Sequence, residues 1–208
     1  MVVETTKYLL RLARTGDVDA QFRIGYRLAH ARGRKDWKAA ANWWERAASR
    51  GHVRAAFYLA TCYDFQRGRP HDMAEAVKFY RKAARKGHAE AQYNLAKCYE
   101  NGLGVKRNLR YAFKWLCTAG LQEYVPAISD VGYCCHEGAG TKVDYKAAVM
   151  WYRTAADADW HPAQFNLALC YLEGDGVRKN KAQGIAWLKK AEANGSRRAR
   201  TLLAKLGA

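Results

Sequence analysis

Long apolar runs, acidic side chains and proline are all scarce in this sequence. No apolar stretch approaches the roughly 20 residues that a membrane-spanning helix needs, and the mean hydropathy is −0.47. A helical membrane protein is therefore not expected. Met1 to Arg11 places Glu4 ahead of any Lys, and its apolar stretch is too short for the core of a secretion signal. A cytoplasmic location is expected, unless a leader has been removed. Three prolines stand against 17 glycines, which points to helices punctuated by glycine turns. Gly-x-Ser-x-Gly, a phosphate loop and a dinucleotide fingerprint are all missing. No catalytic residue, cofactor or enzymatic activity is expected.

The shortage of acid leaves 36 Lys and Arg against 19 Asp and Glu, a balance of +17. Such an excess attracts acidic partners but does not specify a fold. Its distribution is uneven. Residues 1–120 hold 24 basic and 10 acidic side chains, 121–175 hold 3 and 8, and 176–208 hold 9 and 1. The basic residues fall largely on what read as second helices and loops, among them Arg46, Arg50, Arg81, Lys82, Arg85, Lys86, Lys106, Arg107, Arg110 and Lys114. This predicts a basic outer surface. Nucleic acid would need a continuous stripe and a recognition element, and neither is legible.

What the sequence does contain is a period of 36. Ala47, Ala83, Ala119, Ala155 and Ala191 are in phase, as are Trp43, Phe79, Trp115, Trp151 and Trp187. Asp36, Asp72, Asn108, Asp144 and Asn180 form a polar set on the same grid, and Cys62, Cys98, Cys134 and Cys170 another. Ala55, Ala91, Ala127 and Ala163, then Leu59, Leu95, Val131 and Leu167, complete it. The first unit is one residue short, since Gly16 to Gly51 is a step of 35. Within a unit the apolar spacing is helical: Ala91, Leu95, Cys98 and Tyr99 share one stripe. Asn101-Gly102-Leu103-Gly104 breaks the chain, Asn108 stands as an N-cap, and Ala112, Trp115, Leu116 and Ala119 face inward until Gly120. Each unit is thus a helical hairpin, helix A then helix B, which buries its stripe only against neighbours. Thr6 to Gly16 reads as a lone B-type helix. Ser196 opens a short basic helix whose Leu202, Leu203 and Leu206 close the last unit. The expected organisation is one domain over 1–208: a cap helix within 1–16, five repeats over 17–195, and a C-terminal cap helix over 196–208.

These units resemble the Sel-1-like repeat. The resemblance is carried by Ala91 to Val105 and Ala163 to Val177 for the first helix and loop, and by Asp144 to Ala156 and Asp72 to Gly87 for the second helix. It covers about residues 16–195. Tetratricopeptide repeats are similar, but their period is about 34 and they lack the Gly-x-Gly loop. The second unit departs from the pattern with Arg67-Gly68-Arg69-Pro70, the first with Ala31-Arg32-Gly33-Arg34, and the fourth with Pro126, Ser129 and Cys135. The resemblance implies an all-α, right-handed α/α superhelix whose A helices line a concave face, and a role as adaptor or scaffold. Some bacterial members with cysteine-rich repeats are linked to β-lactam binding. They carry a disulfide in every unit, at positions held here by alanine, so that branch is only a distant alternative.

The four in-phase cysteines should not pair, because packed helices lie roughly 8–10 Å apart and a disulfide needs Cα atoms within about 7 Å. They read as small buried apolar groups, whereas Cys117, in phase with Arg81, Arg153 and Lys189, is expected to be exposed and reactive. Cys134-Cys135-His136-Glu137 lacks a second cluster at zinc spacing, so no metal is expected. His52 and His88, each following a glycine, read as structural residues at the start of A helices. By helical spacing and analogy with related repeats, the inner face presents Phe22, Tyr26, Arg54, Phe57, Thr61 and Asp64. It continues through Glu90, Tyr93, Lys97, Glu100, Ser129, Tyr133 and His136 to Phe165, Leu169 and Leu172. Aromatic anchors rimmed by mixed charge suit a groove for a protein or peptide segment. Equally, Phe57, Tyr93 and Phe165 can simply pack between adjacent A helices. The expected partner is a protein or peptide segment on this face, with the outer basic surface favouring acidic partners. The alternative is an immunity or inhibitor protein against an acidic bacterial effector. A monomer, or weak self-association, is expected.

Overall fold

Six helices fold in each half of the chain. The computed structural model describes residues 6–31, 33 and 35–207; Arg32 and Arg34 of the first loop lie outside the described residues, as do Met1–Thr5 and Ala208. Among the described residues there are twelve helices and no strand. One compact unit, Met1–Arg107, holds α1 (Thr6–Arg14), α2 (Val18–Ala29), α3 (Trp37–Ser49), α4 (Val53–Asp64), α5 (Met73–Arg85) and α6 (Ala89–Asn101). The other, Asn108–Ala208, holds α7 (Leu109–Gly120), α8 (Val125–Glu137), α9 (Tyr145–Asp157), α10 (His161–Glu173), α11 (Lys181–Ala193) and α12 (Arg197–Leu206). Inside each unit every helix packs on the next in sequence. No helix of the described residues is long and apolar enough to cross a membrane.

The periodic residues are the core. All five alanines of the 47-to-191 set are fully buried, as are Ala55, Ala91, Ala127 and Ala163. With side chains this small, the A and B backbones can approach closely, and Leu59, Leu95, Val131 and Leu167 fill what remains. Burying each such branched side chain contributes about 1.5–3 kcal/mol. The deepest large residues differ from the expected aromatic set by one position. Trp44, Tyr80, Leu116, Tyr152 and Leu188 are buried, whereas of the in-phase set Phe79 is buried and Trp43, Trp115, Trp151 and Trp187 are only half-buried. Neighbouring helical positions point about 100° apart, and here the second faces the core. The outer ring serves as a cation seat: Arg46 lies 4.9 Å over Trp43 and Lys190 4.2 Å over Trp187.

Helix starts follow the polar set. Asp36, Asp72, Asn108, Asp144 and Asn180 each accept a backbone N–H from the first turn of the following B helix. A helices vary at this place: on α2 Asp17 accepts from Ala20 N at 2.7 Å, as the B-helix caps do, and the later ones change residue. His52 Nδ1 accepts from Ala55 N at 3.0 Å and His88 Nδ1 from Ala91 N at 3.3 Å, while Ser196 caps α12. In the fourth and fifth repeats the cap position is Tyr124 or Trp160, and neither side chain accepts. There Pro126 and Pro162 remove one orphan donor by having no N–H. The capping residue's own carbonyl takes the next, from Ala127 at 2.9 Å and from Ala163 at 3.0 Å.

Glycine fixes how one repeat seats on another. A Cβ at Gly68, Gly104, Gly140 or Gly176 would lie 2.1–2.3 Å from a backbone atom of Trp37, Met73, Leu109 or Tyr145 respectively. Those four are the first residues of α3, α5, α7 and α9. The loops of the second to fifth hairpins therefore rest on the opening turn of the preceding B helix, with positive φ as well. The loop of the second repeat keeps this glycine as Gly68; only its partner position is changed, to Gln66 at φ 52°. Between helices B and A, the glycine place of Gly51 and Gly87 is taken by Glu123 (φ 61°) and Asp159 (φ 57°).

Replacing Gly140 by Ala should cost about 1–3 kcal/mol, because backbone rather than a movable side chain blocks the new methyl. Glu123→Gly should raise stability by up to about 1 kcal/mol by relieving a left-handed L residue. Urea titration of both variants measures the pair, and a Gly140→Ala midpoint equal to wild type would refute the seating contact.

Candidate partner-binding face

The inner-face residues divide between the two units, and each set stands on A helices. In the first unit, Phe22 and Tyr26 lie on α2, Arg54, Phe57, Thr61 and Asp64 on α4, and Glu90, Tyr93, Lys97 and Glu100 on α6. In the second, Ser129, Tyr133 and His136 lie on α8, and Phe165, Leu169 and Leu172 on α10.

Three of the expected anchors are sealed. Phe22, Phe57 and Phe165 are 7%, 6% and 6% exposed. The reason is non-local. The His52 ring stacks on Phe22 with centroids 4.6 Å apart, and His88 stacks on Phe57 at 4.5 Å. Arg54 lies over Phe22 at 4.9 Å, and Arg198 over Phe165 at 4.5 Å. Each phenylalanine is thus packed under the next A helix. Of the readings open for these rings, packing between A helices is the one observed for Phe57 and Phe165. The exposed rings on the face are Tyr26, at 39%, and Tyr133, at 47%; Tyr93 is half-buried. Tyr26 stacks on His30 at 4.1 Å.

Much of the polar set is internally paired. Asp64 accepts the Tyr80 hydroxyl at 2.8 Å, and Lys97 pairs with Glu100 one turn away. Partial burial pushes the Glu90 carboxyl up. His136 holds Glu137 at 2.8 Å through Nδ1 and Asp175 at 3.1 Å through Nε2, with the Tyr145 ring edge-on at 5.0 Å. Beside it the structure opens a cleft of about 230 Å³, bordered by Tyr133, His136 and Leu169 of the expected set. Glu137, Tyr152, Asn166, Glu173 and Arg198 also border it, and the sequence reading passed over their part in the face. A comparison of units two repeats apart carries the missing signal, because Asp64 becomes His136 on that step.

The cysteine expectations divide. Cys62, Cys98, Cys134 and Cys170 are buried and unpaired, and burial pushes the Cys62 and Cys98 thiols up to about 12. Cys117, expected to be exposed and reactive, is half-buried instead. Burial, with Cys135 adding to it, pushes its thiol up to about 11, which leaves little thiolate at neutral pH. Among the described residues no three His, Cys, Asp or Glu side chains gather as a metal site.

Five consecutive segments, 18–52, 53–88, 89–124, 125–160 and 161–196, each match the Sel1 repeat. The chain belongs to the Sel1 repeat family. Its five Sel1 repeats place each A helix first and each B helix second, as the hairpins above do. No curated protein matches the sequence. Among solved structures, a Sel1 repeat protein from Oxalobacter formigenes is similar, with 30% identity and a TM-score of 0.88 over 96% of this chain and 84% of that one. A protective antigen of uropathogenic Escherichia coli with an SLR fold shares 28% identity at a TM-score of 0.90, over 96% of this chain. The Sel1 chain described here spans 43% of that antigen's length. An immunity protein from Pseudomonas aeruginosa shares the fold at 22% identity and a TM-score of 0.52, over 88% of this chain and 67% of that one.

The histidine caps give the Sel1 repeats of the first unit a pH dependence. Burial lowers both His52 and His88. At His52 the Asp19 carboxylate, 3.2 Å from Nε2, opposes this, and the Arg54 guanidinium adds to it. At His88 Arg54 adds to the burial. An imidazole whose folded pKa lies below its unfolded value of about 6.5 contributes stability that is complete above that pH. The contribution is lost as pH falls through the folded pKa. Thermal melts at pH 7.5 and 5.5 should show a lower midpoint in acid, by about 2–4 °C for each kcal/mol of cap lost. His52→Ser with His88→Ser, which copies the Ser196 cap, should flatten that slope. A slope unchanged in the double variant would count against the caps as its source.

Proposed function

We propose that this Sel1 repeat protein is an adaptor that grips a segment of another protein on its A-helix face. Sel1 repeats are a protein-interaction fold, and the chain belongs to that family. One observation supports the finer reading. On the A helices of each unit the phenylalanines are sealed, while Tyr26 in the first unit and Tyr133 in the second keep their rings in solvent. Large rigid rings of this kind bury much area on binding at little cost in side-chain entropy. The set proposed for contact is Tyr26, Arg54, Asp64, Glu90, Tyr93, Lys97, Glu100, Tyr133, His136 and Leu169, with Phe22, Phe57 and Phe165 beneath it. The reading takes 1–208 as one capped array, with the basic B-helix and loop residues adding long-range attraction to an acidic partner.

A second reading, an immunity or inhibitor protein against an acidic effector, draws on the fold shared with the Pseudomonas aeruginosa immunity protein and on the +17 balance. The two are separable. A peptide selected by display against the protein, then measured by calorimetry, should bind at least tenfold more weakly to Tyr26→Ala or Tyr133→Ala, about 1.4 kcal/mol, with helicity unchanged. Undiminished affinity in both variants rejects the face. Binding dominated by charge would instead fall steeply with salt and ignore the tyrosines.

A further inference from the structure

Three repeat positions, read at a spacing of 72 residues, form a closed network in one unit and an open one in the other. In the first unit Tyr80, Asp64 and Asn94 satisfy one another. The buried Tyr80 hydroxyl donates to Asp64 Oδ2 at 2.8 Å and is hydrogen-bonded by the Asn94 side chain. In the second unit the same positions carry Tyr152, His136 and Asn166. Replacing Asp by His removes the acceptor. Both ring nitrogens of His136 are already engaged, by Glu137 and by Asp175. Tyr152 is 2% exposed, yet neither its hydroxyl nor the Asn166 side chain makes a hydrogen bond among the described residues. Neither group is among the buried polar atoms left without a partner, so both open into the cleft beside them, where a ligand or solvent can satisfy them.

Both groups border the 230 Å³ cleft. Burial and the nearby Glu137 and Tyr133 push the Tyr152 hydroxyl up, so it stays a donor at every physiological pH. The cleft thus offers a fixed O–H, an amide that both donates and accepts, and an aromatic and aliphatic wall in Tyr133 and Leu169. At its rim Glu137 and Glu173 outnumber the Arg198 guanidinium, which is held over Phe165. Residues 121–175 around it carry 8 acidic and 3 basic side chains.

We propose that this cleft is a subsite for one peptide unit of the partner segment. Its carbonyl accepts from the Tyr152 hydroxyl, its N–H donates to the Asn166 side-chain oxygen, and an adjoining Lys or Arg side chain reaches Glu137 and Glu173. The subsite rests on the adaptor reading and adds the chemistry of what is gripped.

The test uses the whole protein and two small probes, N-acetyl-lysine methylamide and N-acetyl-glutamate methylamide, titrated by amide NMR. The lysine probe should shift resonances around Tyr133, Tyr152, Asn166 and Glu173. Its dissociation constant should rise at least tenfold in Tyr152→Phe and in Asn166→Ala, and the glutamate probe should bind at least tenfold more weakly. A thermal melt needs no ligand: Tyr80→Phe should lower the midpoint by about 2–4 °C, while Tyr152→Phe leaves it in place or raises it. Several outcomes overturn the proposal: no shift at the cleft, equal binding of both probes, binding indifferent to both variants, or a Tyr152→Phe loss matching that of Tyr80→Phe. Cleft resonances that move with protein concentration alone would assign the cleft to a second copy. If a selected peptide depends on Tyr26 and Tyr133 but ignores Tyr152→Phe, the adaptor reading stands and only the subsite falls.

Discussion

Everything in the repeat stacking depends on four places where a loop has no side chain. Gly68, Gly104, Gly140 and Gly176 each sit against the first peptide group of a neighbouring B helix, at a distance that leaves no room for a methyl. Close contact of backbone with backbone is stiffer than contact between flexible side chains, so it sets the spacing of successive hairpins narrowly. The fully buried alanine columns are the counterpart of that spacing. Larger residues there would force the helices apart and lift the loops off their seats. Glycine and alanine are thus one constraint expressed at two places in each repeat.

Around this frame the repeats vary in linked sets. After Gly51 and Gly87 a histidine caps the A helix, while Asp17 follows Gly16 and Ser196 follows Gly195 in the same role. Where Glu123 or Asp159 replaces the glycine, a large aromatic replaces the cap and a proline follows two residues on. Buried glutamines alternate independently of the caps, in every second repeat. Gln21, Gln92 and Gln164 each donate to a carbonyl near the end of the preceding B helix, that of Ala13, Ala84 and Ala156. In between, Ala56 and Ile128 hold that position with apolar packing. The cap exchanges satisfy or remove the same orphan backbone groups by different routes, whereas the glutamine adds a second donor to a carbonyl that already accepts a backbone N–H in the turn.

The period, the hairpins, the caps on the B helices and the buried cysteine column were all legible in the sequence, because each depends on spacing within one or two turns. Less legible was anything set by a residue from the next hairpin. Phe22 and Phe57 look like anchors until a histidine ring from the following A helix covers them. Trp43 and Trp44 are equally apolar, and only the packing decides that Trp44 is the buried one. Cys117 stands in phase with charged residues but is half-buried, and that burial pushes its thiol up. The sequence did point to Tyr133, His136 and Leu169, which border the cleft. It did not locate Tyr152 or Asn166, since a missing hydrogen bond shows only when two equivalent triads are set side by side.

The seating of each loop on its neighbour also bears on how such a chain can change in length. A duplicated cassette of 36 residues brings its own glycine and its own opening turn, so it slots in without redesign on either side. A single codon gained or lost inside a B helix, by contrast, rotates every later contact out of phase and leaves the glycine facing the wrong peptide. Within the helices tolerance is therefore all or nothing; the first repeat, one residue short before Asp36, takes its deletion in the loop instead.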